Sequence, residues 1–346
     1  MQKITVQGLQ SDSEILINEK LANAGQYLPA GRVVIITDET VSKLYQSAFP
    51  SPEVLRIGTG EGIKNLDTVR KLYEGLLHLE ADRSTFILAI GGGIVCDVAG
   101  FTATTYLRGL HFGFVASTLL AQVDASVGGK NGVNFSGLKN MVGVFNQPEF
   151  VICDFELLKT LPEKELLNGM AEIVKTALIA DVELFYYLEN EFKNALIMES
   201  AVIEKLVHTA VSIKARIVDR DEREGGERRL LNFGHTFGHA LESTTGIAHG
   251  EAVSVGMVLA SEFSVQKGLL DRRQADRIKA LLRHLGLPVN ITFDRQAVLD
   301  ALKRDKKRIG DHIHFVLLKN LGQAIVEPIS VYELERMLNL WSLPPG

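Results

Sequence analysis

The feature that most limits how this chain can fold is a change of hydrophobic period near Thr160-Leu161-Pro162. Before it, short apolar runs alternate with helical spacing. Arg32-Val33-Val34-Ile35-Ile36-Thr37-Asp38, Thr85-Phe86-Ile87-Leu88-Ala89-Ile90, Phe112-Gly113-Phe114-Val115-Ala116 and Phe150-Val151-Ile152-Cys153-Asp154 read as buried strands. Leu66 to Leu79 has helical apolar spacing. Such alternation predicts an α/β domain built on a mostly parallel sheet, with ligands at the carboxyl ends of the strands. After the change, Glu163 to about Leu285 carries helical period nearly throughout. Helices are expected from Gly169 to Ala177, from Ala201 to Val218 and from Gly250 to Gln266. His312 to Leu318 alternates and reads as a strand appended to the helical part. The expected organisation is two domains, 1–160 and 161–346, with the default ligand site in a cleft between them.

Length and charge narrow the functional classes. At 346 residues the chain is long for one core. A formal net charge of −5 gives no bulk attraction for nucleic acid or an anionic membrane surface. Two cysteines, Cys96 and Cys153, form no CxxC and no disulfide framework, which points to reduced thiols in a cytoplasmic protein. The first residues lack the apolar core of a signal peptide, and no stretch reaches the roughly 18 apolar residues of a membrane span.

Several stretches carry candidate chemistry. Three of the nine histidines, His235, His239 and His249, fall within 15 positions. His235 and His239 share one face of a helix, a common way to begin a metal site; the other reading is packed histidines hydrogen-bonded to backbone. Glu172 stands in an apolar run with Lys175 three residues on, and becomes a third metal donor only if the histidines approach it. Gly91-Gly92-Gly93-Ile94-Val95-Cys96-Asp97 follows a predicted strand and opens a predicted helix. It suits a pyrophosphate, or simply a tight strand–helix turn. Gly58-Thr59-Gly60-Glu61-Gly62-Ile63-Lys64 is a second glycine-rich turn, equally readable as an ordinary loop. Asp124 to Gly132, followed by Gly137-Leu138-Lys139-Asn140, suits an anion or a polar surface hairpin. The charge runs Asp219 to Arg229 and Arg304 to Arg308 are either solvated surface or arginines and lysines aimed at a ligand.

Taken together and in order, GGGIVCDVAGFTATTYLRG, STLLAQVDASVGGKNGVN, GLKNMVGVFNQP, NGMAEIVKTALI, DEREGGERRLLNFGHTFGHALE and HGEAVSVGM resemble the 3-dehydroquinate synthase family of the sugar-phosphate cyclases. The likeness runs from about residue 30 to 320. It implies an α/β N-terminal Rossmann-like nucleotide-binding domain and a mostly α-helical C-terminal metal-binding domain, with bound NAD and one divalent metal, zinc or cobalt. The implied metal ligands are Glu172, His235 and His249, which moves His239 from the metal to the substrate. Implied NAD contacts are Asp38; Gly60, Glu61, Gly62, Ile63 and Lys64; Gly93, Ile94, Val95, Cys96 and Asp97; Ser117 and Thr118; Lys130 and Lys139; and Leu157, Leu158, Lys159 and Thr160. Implied substrate and catalytic residues are Asp124, Lys130, Asn140, Lys175, Lys214, Arg228, Asn232, His239 and Lys306. Arg108 resembles an arginine that reaches the neighbouring subunit's site, which implies a homodimer.

The reaction that the resemblance implies converts 3-deoxy-D-arabino-heptulosonate 7-phosphate to 3-dehydroquinate and phosphate. It runs through transient oxidation by NAD, phosphate elimination, reduction, ring opening and aldol closure, so net redox is zero. Lys214 and Arg228 suit a substrate carboxylate, because a guanidinium offers a bidentate fork. Lys130, Asn140, His239 and Lys306 suit phosphate oxygens. Two rival readings fit the same motifs. Another sugar-phosphate cyclase would keep most of the site but take a substrate without a carboxylate. A polyol dehydrogenase would accumulate NADH.

Overall fold

The computed structural model describes residues 1–9, 11–303, 308–309 and 311–341. Contacts divide the chain into two compact units, Met1–Leu166 with Val207–Arg223, and Leu167–Leu206 with Glu224–Gly346.

The described residues of the first unit form nine strands: β1 (Gln2–Val6), β2 (Ser13–Ile17), β3 (Val33–Asp38), β4 (Val54–Ile57), β5 (Phe86–Gly91), β6 (His111–Ala116), β7 (Lys130–Phe135), β8 (Leu138–Phe145) and β9 (Phe150–Cys153). Seven of them form one sheet in the order β1-β2-β9-β6-β5-β3-β4. Every pair in it is parallel except β1–β2 at the edge. The four strands expected from their apolar runs occupy its centre. Short β1, with its exposed Gln2 and Lys3, and short β4 carry too little apolar signal to stand out, and both lie at edges. Leu16, Ile35, Phe86, Leu88, Val115 and Ile152 form the core of one sheet face. Helices α1 (Glu39–Tyr45), α2 (Leu66–His78) and α3 (Gly93–Thr105) return the chain between strands. The chain leaving β3 goes to β4 on one side of the sheet, while that leaving β5 goes to β6 on the other. The reversal opens a crevice at the carboxyl ends of β3 and β5, where such sheets take ligands. Strands β7 and β8 make a separate antiparallel hairpin. The returning segment is tied to the edge of the unit: Gln7 N–H donates to Asp219 (2.7 Å), and Leu9 N–H and the Gln147 amide donate to Glu222 (3.1 and 2.9 Å).

The second unit is mostly helical. It draws on α4 (Glu163–Ala180), α5 (Val182–Leu196), α6 (Ser200–Arg220), α7 (His235–Thr245), α8 (His249–Gln266), α9 (Arg272–His284), α10 (Arg295–Lys303) and α11 (Val331–Trp341). Residues 207–220 of α6 belong to the first unit. A small antiparallel sheet, β10 (Arg308–Ile309), β11 (His312–Asn320) and β12 (Gln323–Ser330), contains the strand expected near His312. Helix α8 is buried on nearly all sides, which explains a sequence that is small and apolar all round. Two glycines decide how α7 meets it. Gly234 turns the chain into α7 with φ +77, and a Cβ on Gly256 would stand 1.9 Å from the Gly234 carbonyl oxygen. Phe237 of α7 and Phe263 of α8 pack edge-on against Phe315 of β11. Among the described residues no helix is long and apolar enough to cross a membrane.

Candidate active site

Glu172, His235 and His249 converge. One donor atom from each lies within 4.8 Å of the others. Glu172 projects from the middle of α4, His235 is the first residue of α7 and His249 the first of α8. Glu172 Oε1 is 3.2 Å from His249 Nε2 and 3.5 Å from His235 Nε2. Its other oxygen pairs with Lys175, one turn along α4, and both side chains are almost wholly buried. Behind the rings, His235 Nδ1 meets the Phe233 carbonyl oxygen (3.1 Å) and His249 Nδ1 faces Glu242 Oε2 (3.5 Å). The start of α8 is pinned by Gly250 N–H donating to Asn168 Oδ1 (2.8 Å) and Ala248 N–H donating to Glu251 (2.9 Å).

The charges suit a cation. Burial alone would raise Glu172, but the Lys175 ammonium, followed by His249, outweighs it and holds the carboxyl at about 2. Burial likewise opposes a charged His249, but the carboxylates of Glu172 and Glu242 prevail and push it up to about 9. One carboxylate oxygen and two imidazole nitrogens, backed by Lys175, the Phe233 carbonyl and Glu242, make a donor set that would suit a catalytic divalent metal. These residues therefore fit the metal. A cation held by His249 would compete with a proton for Nε2.

Of the other expected residues of this unit, His239 lies against the group. His239 stands edge-on to His235, with ring centroids 5.2 Å apart, and is half-buried. It is outside the three-residue donor group. Arg228 is among the largest fully buried side chains. Asn232 donates to Glu224, a residue at φ +61. Lys306 lies outside the described residues. Glu242 was not among the expected site residues. Its signal was present in the spacing: Glu242 stands three residues after His239 and seven after His235, on the same helical face.

The first unit carries the glycine-rich turns. Gly91, Gly92 and Gly93 join β5 to α3 at the strand reversal, and the helix has no side-chain cap. A Cβ on Gly92 would press on Thr118 at 3.0 Å, and one on Gly93 on Ala125 at 2.9 Å. The tight turn and the open helix N-terminus thus coexist, and the latter fits a pyrophosphate. Ile94 and Val95 lie in the first turn of α3. The Cys96 amide is already bonded to the Gly92 carbonyl, and burial pushes its thiol up, away from reactivity. Lys64 and Asp97 form a buried ion pair, although burial still raises Asp97. Gly60 and Gly62 have open space where a Cβ would stand. Glu61 pairs with Lys139 (3.6 Å) and accepts from the Asn134 amide (2.8 Å). Asn140 N–H donates to Asn134 Oδ1 (2.9 Å). Ser117 is buried just beyond β6, Leu157 and Leu158 are core residues, and Thr160 meets the Tyr45 hydroxyl at 2.6 Å. Asp38 caps α1 by accepting from Val41 N–H (2.9 Å). Lys130 opens β7 and is exposed. Lys214 bonds both the carboxylate and the carbonyl oxygen of Asp124. Arg108 is exposed on a turn with φ +69.

Comparison with known proteins agrees in sequence and in fold. The crystal structure of 2-deoxy-scyllo-inosose synthase complexed with carbaglucose-6-phosphate, NAD+ and Co2+ superposes with a TM-score of 0.87. It is 26% identical over 97% of this chain and 99% of that one. The structure of 2-epi-5-epi-valiolone synthase from Streptomyces hygroscopicus subsp. jinggangensis, with NAD+ and Zn2+ bound, also reaches 0.87. It is 28% identical over 98% and 99% of the two chains. The fold is thus that of the sugar-phosphate cyclases. Residues 54–168 match the model for the 3-dehydroquinate synthase N-terminal region, and 169–308 that for the C-terminal region. The 3-dehydroquinate synthase of Streptococcus mutans serotype c is 40% identical over 97% of this chain and 99% of its own length. That of Acetivibrio thermocellus is 44% identical over 85% of each. This chain belongs to the 3-dehydroquinate synthase family.

Proposed function

We propose that this chain is a 3-dehydroquinate synthase, a phosphate-eliminating lyase of the shikimate pathway of aromatic amino acid biosynthesis. Its substrate is 3-deoxy-D-arabino-heptulosonate 7-phosphate. The observation that carries the reading is the convergence of Glu172, His235 and His249 in a chain of this family. These three side chains hold one zinc or cobalt ion, and residues 60–64, 93–97, 117–118 and 157–160, with Asp38, Lys130 and Lys139, hold NAD. When bound, the metal would supply Lewis-acid chemistry and NAD would supply hydride-transfer chemistry.

The chain's own groups do the rest. Lys175 pairs with Glu172 and holds its carboxyl well below the usual carboxylate range, which favours the anionic form that donates to a cation. The α3 N-terminus supplies backbone N–H groups and a favourable dipole to the pyrophosphate. Arg228, buried and planar, clamps the substrate carboxylate together with Lys214. His239, Lys130, Asn140 and Lys306 hold the phosphate, with Asp124, Lys175 and Asn232 completing the substrate contacts. Residues 1–160 serve as the NAD-binding domain and 161–346 as the metal- and substrate-binding domain. Lys214 sits on the segment that packs with the first unit. The working form is a cytoplasmic homodimer in which Arg108 reaches the neighbouring subunit's site.

The test is to incubate the full chain with the heptulosonate phosphate, catalytic NAD and zinc, following phosphate, cyclic product and absorbance at the NADH band. Phosphate and 3-dehydroquinate are expected in equal amounts without NADH build-up. Steady accumulation of NADH would favour a dehydrogenase. Turnover only of sugar phosphates without a carboxylate would favour another cyclase.

A further inference from the structure

We propose that Glu242 is a positioning residue of the metal centre, whose carboxylate orients the His249 ring so that Nε2 faces the cation. The proposal rests on the reading of Glu172, His235 and His249 as metal ligands and adds to it a residue that supports one of them.

The two histidines are held in different ways. His235 has its Nδ1 against the Phe233 carbonyl oxygen, 3.1 Å away. A carbonyl only accepts, so this nitrogen carries the proton and Nε2 is left as the donor atom. His249 has a carboxylate in that place: Glu242 Oε2 lies 3.5 Å from Nδ1, while Nε2 points at Glu172 Oε1, 3.2 Å away. The Glu242 side chain is only 11% exposed, so solvent screens the contact weakly. The backbone bonds from Gly250 to Asn168 and from Ala248 to Glu251 set where α8 begins. They leave the rotation of the His249 ring free. Flipping that ring would exchange its nitrogen and carbon edges, and Glu242 selects the orientation with Nδ1–H behind and Nε2 forward. A carboxylate behind a ligating imidazole also raises the basicity of the ligating nitrogen.

The placement gives α7 a double duty. It supplies His235 as a ligand from its first residue and, two turns on, the group that holds the ligand supplied by α8. The close crossing of the two helices at Gly234 and Gly256 keeps that pair in register.

The experiment uses the full chain, freed of metal by chelator dialysis, in four forms: wild type, Glu242→Gln, Glu242→Leu and His249→Ala. Each is titrated with Zn2+ against a chromophoric chelator and with Co2+ in the visible range. Glu242→Gln is expected to weaken zinc binding about 10-fold and Glu242→Leu about 100-fold. The ranking follows because Gln keeps a polar oxygen able to face Nδ1, whereas Leu offers none. Both variants should shift the cobalt d–d bands, while the metal-free unfolding midpoint of Glu242→Gln stays at the wild-type value. If Glu242→Leu does not fold, Glu242→Gln decides. Wild-type zinc affinity and an unchanged cobalt spectrum in Glu242→Gln, with metal lost in His249→Ala, would overturn the role of Glu242 and leave the centre standing. Metal retained by His249→Ala would overturn both readings.

Discussion

His235 and His239 stand one helical turn apart, and spacing alone pairs them as ligands. The folded chain separates their surroundings. His235 faces the buried carboxylate of Glu172, whereas His239 turns its ring edge-on to His235 and remains half-buried. His235→Ala and His249→Ala should therefore lose bound metal, measured by elemental analysis after desalting. His239→Ala should keep its metal and lose phosphate release by about 100-fold, within the range of a positioned acid–base or phosphate-holding group. Loss of metal from His239→Ala to the same degree as the other two would return the assignment to the i, i+4 pair. The residue types were readable from the chain and the ligand set was implied by the resemblance; spacing alone did not say which histidine faces Glu172, because that depends on where α4 lies beside the start of α7.

At the scale of elements, the glycines of the histidine stretch matter as much as the histidines. Gly256 sits inside α8 with the Gly234 carbonyl oxygen against it, so an added methyl group must push α7 away. Gly256→Ala favours the helix intrinsically, yet it should destabilise the chain by about 2–3 kcal/mol through overpacking, read from urea denaturation. It should also weaken zinc binding, because the shift moves His235 relative to His249. A Gly256→Ala chain as stable as wild type, with wild-type metal affinity, would show that the close crossing is dispensable. The buried central strands and the all-round apolar α8 were legible because burial on every side leaves a continuous apolar run. The hairpin of β7 and β8 was legible only as one of two readings of a Gly- and Asn-rich stretch. The short edge strands β1 and β4 were not, since their few side chains carry no period strong enough to read.

Across the whole molecule, metal and nucleotide are assigned to different units, and amide hydrogen exchange can locate each. Zinc should slow exchange at the starts of α7 and α8. NAD should slow it in 60–64, 93–95 and 157–160, because ligands protect the segments that they hold against local opening. Uniform protection, or none, would contradict the assignment. The sequence by itself determined the two kinds of architecture, the buried strands and helices that carry them, and the residue types able to hold a metal and a phosphate. Those properties are written in periods of two and 3.6 residues and in local glycine-rich turns. Only the tertiary structure decided that residues 207–223 pack with the first unit and that Glu242 stands behind His249. It also brings Glu172 to a histidine 77 positions away, a meeting that the resemblance implied and that spacing did not. No local period encodes such meetings; they follow from the packing of whole helices.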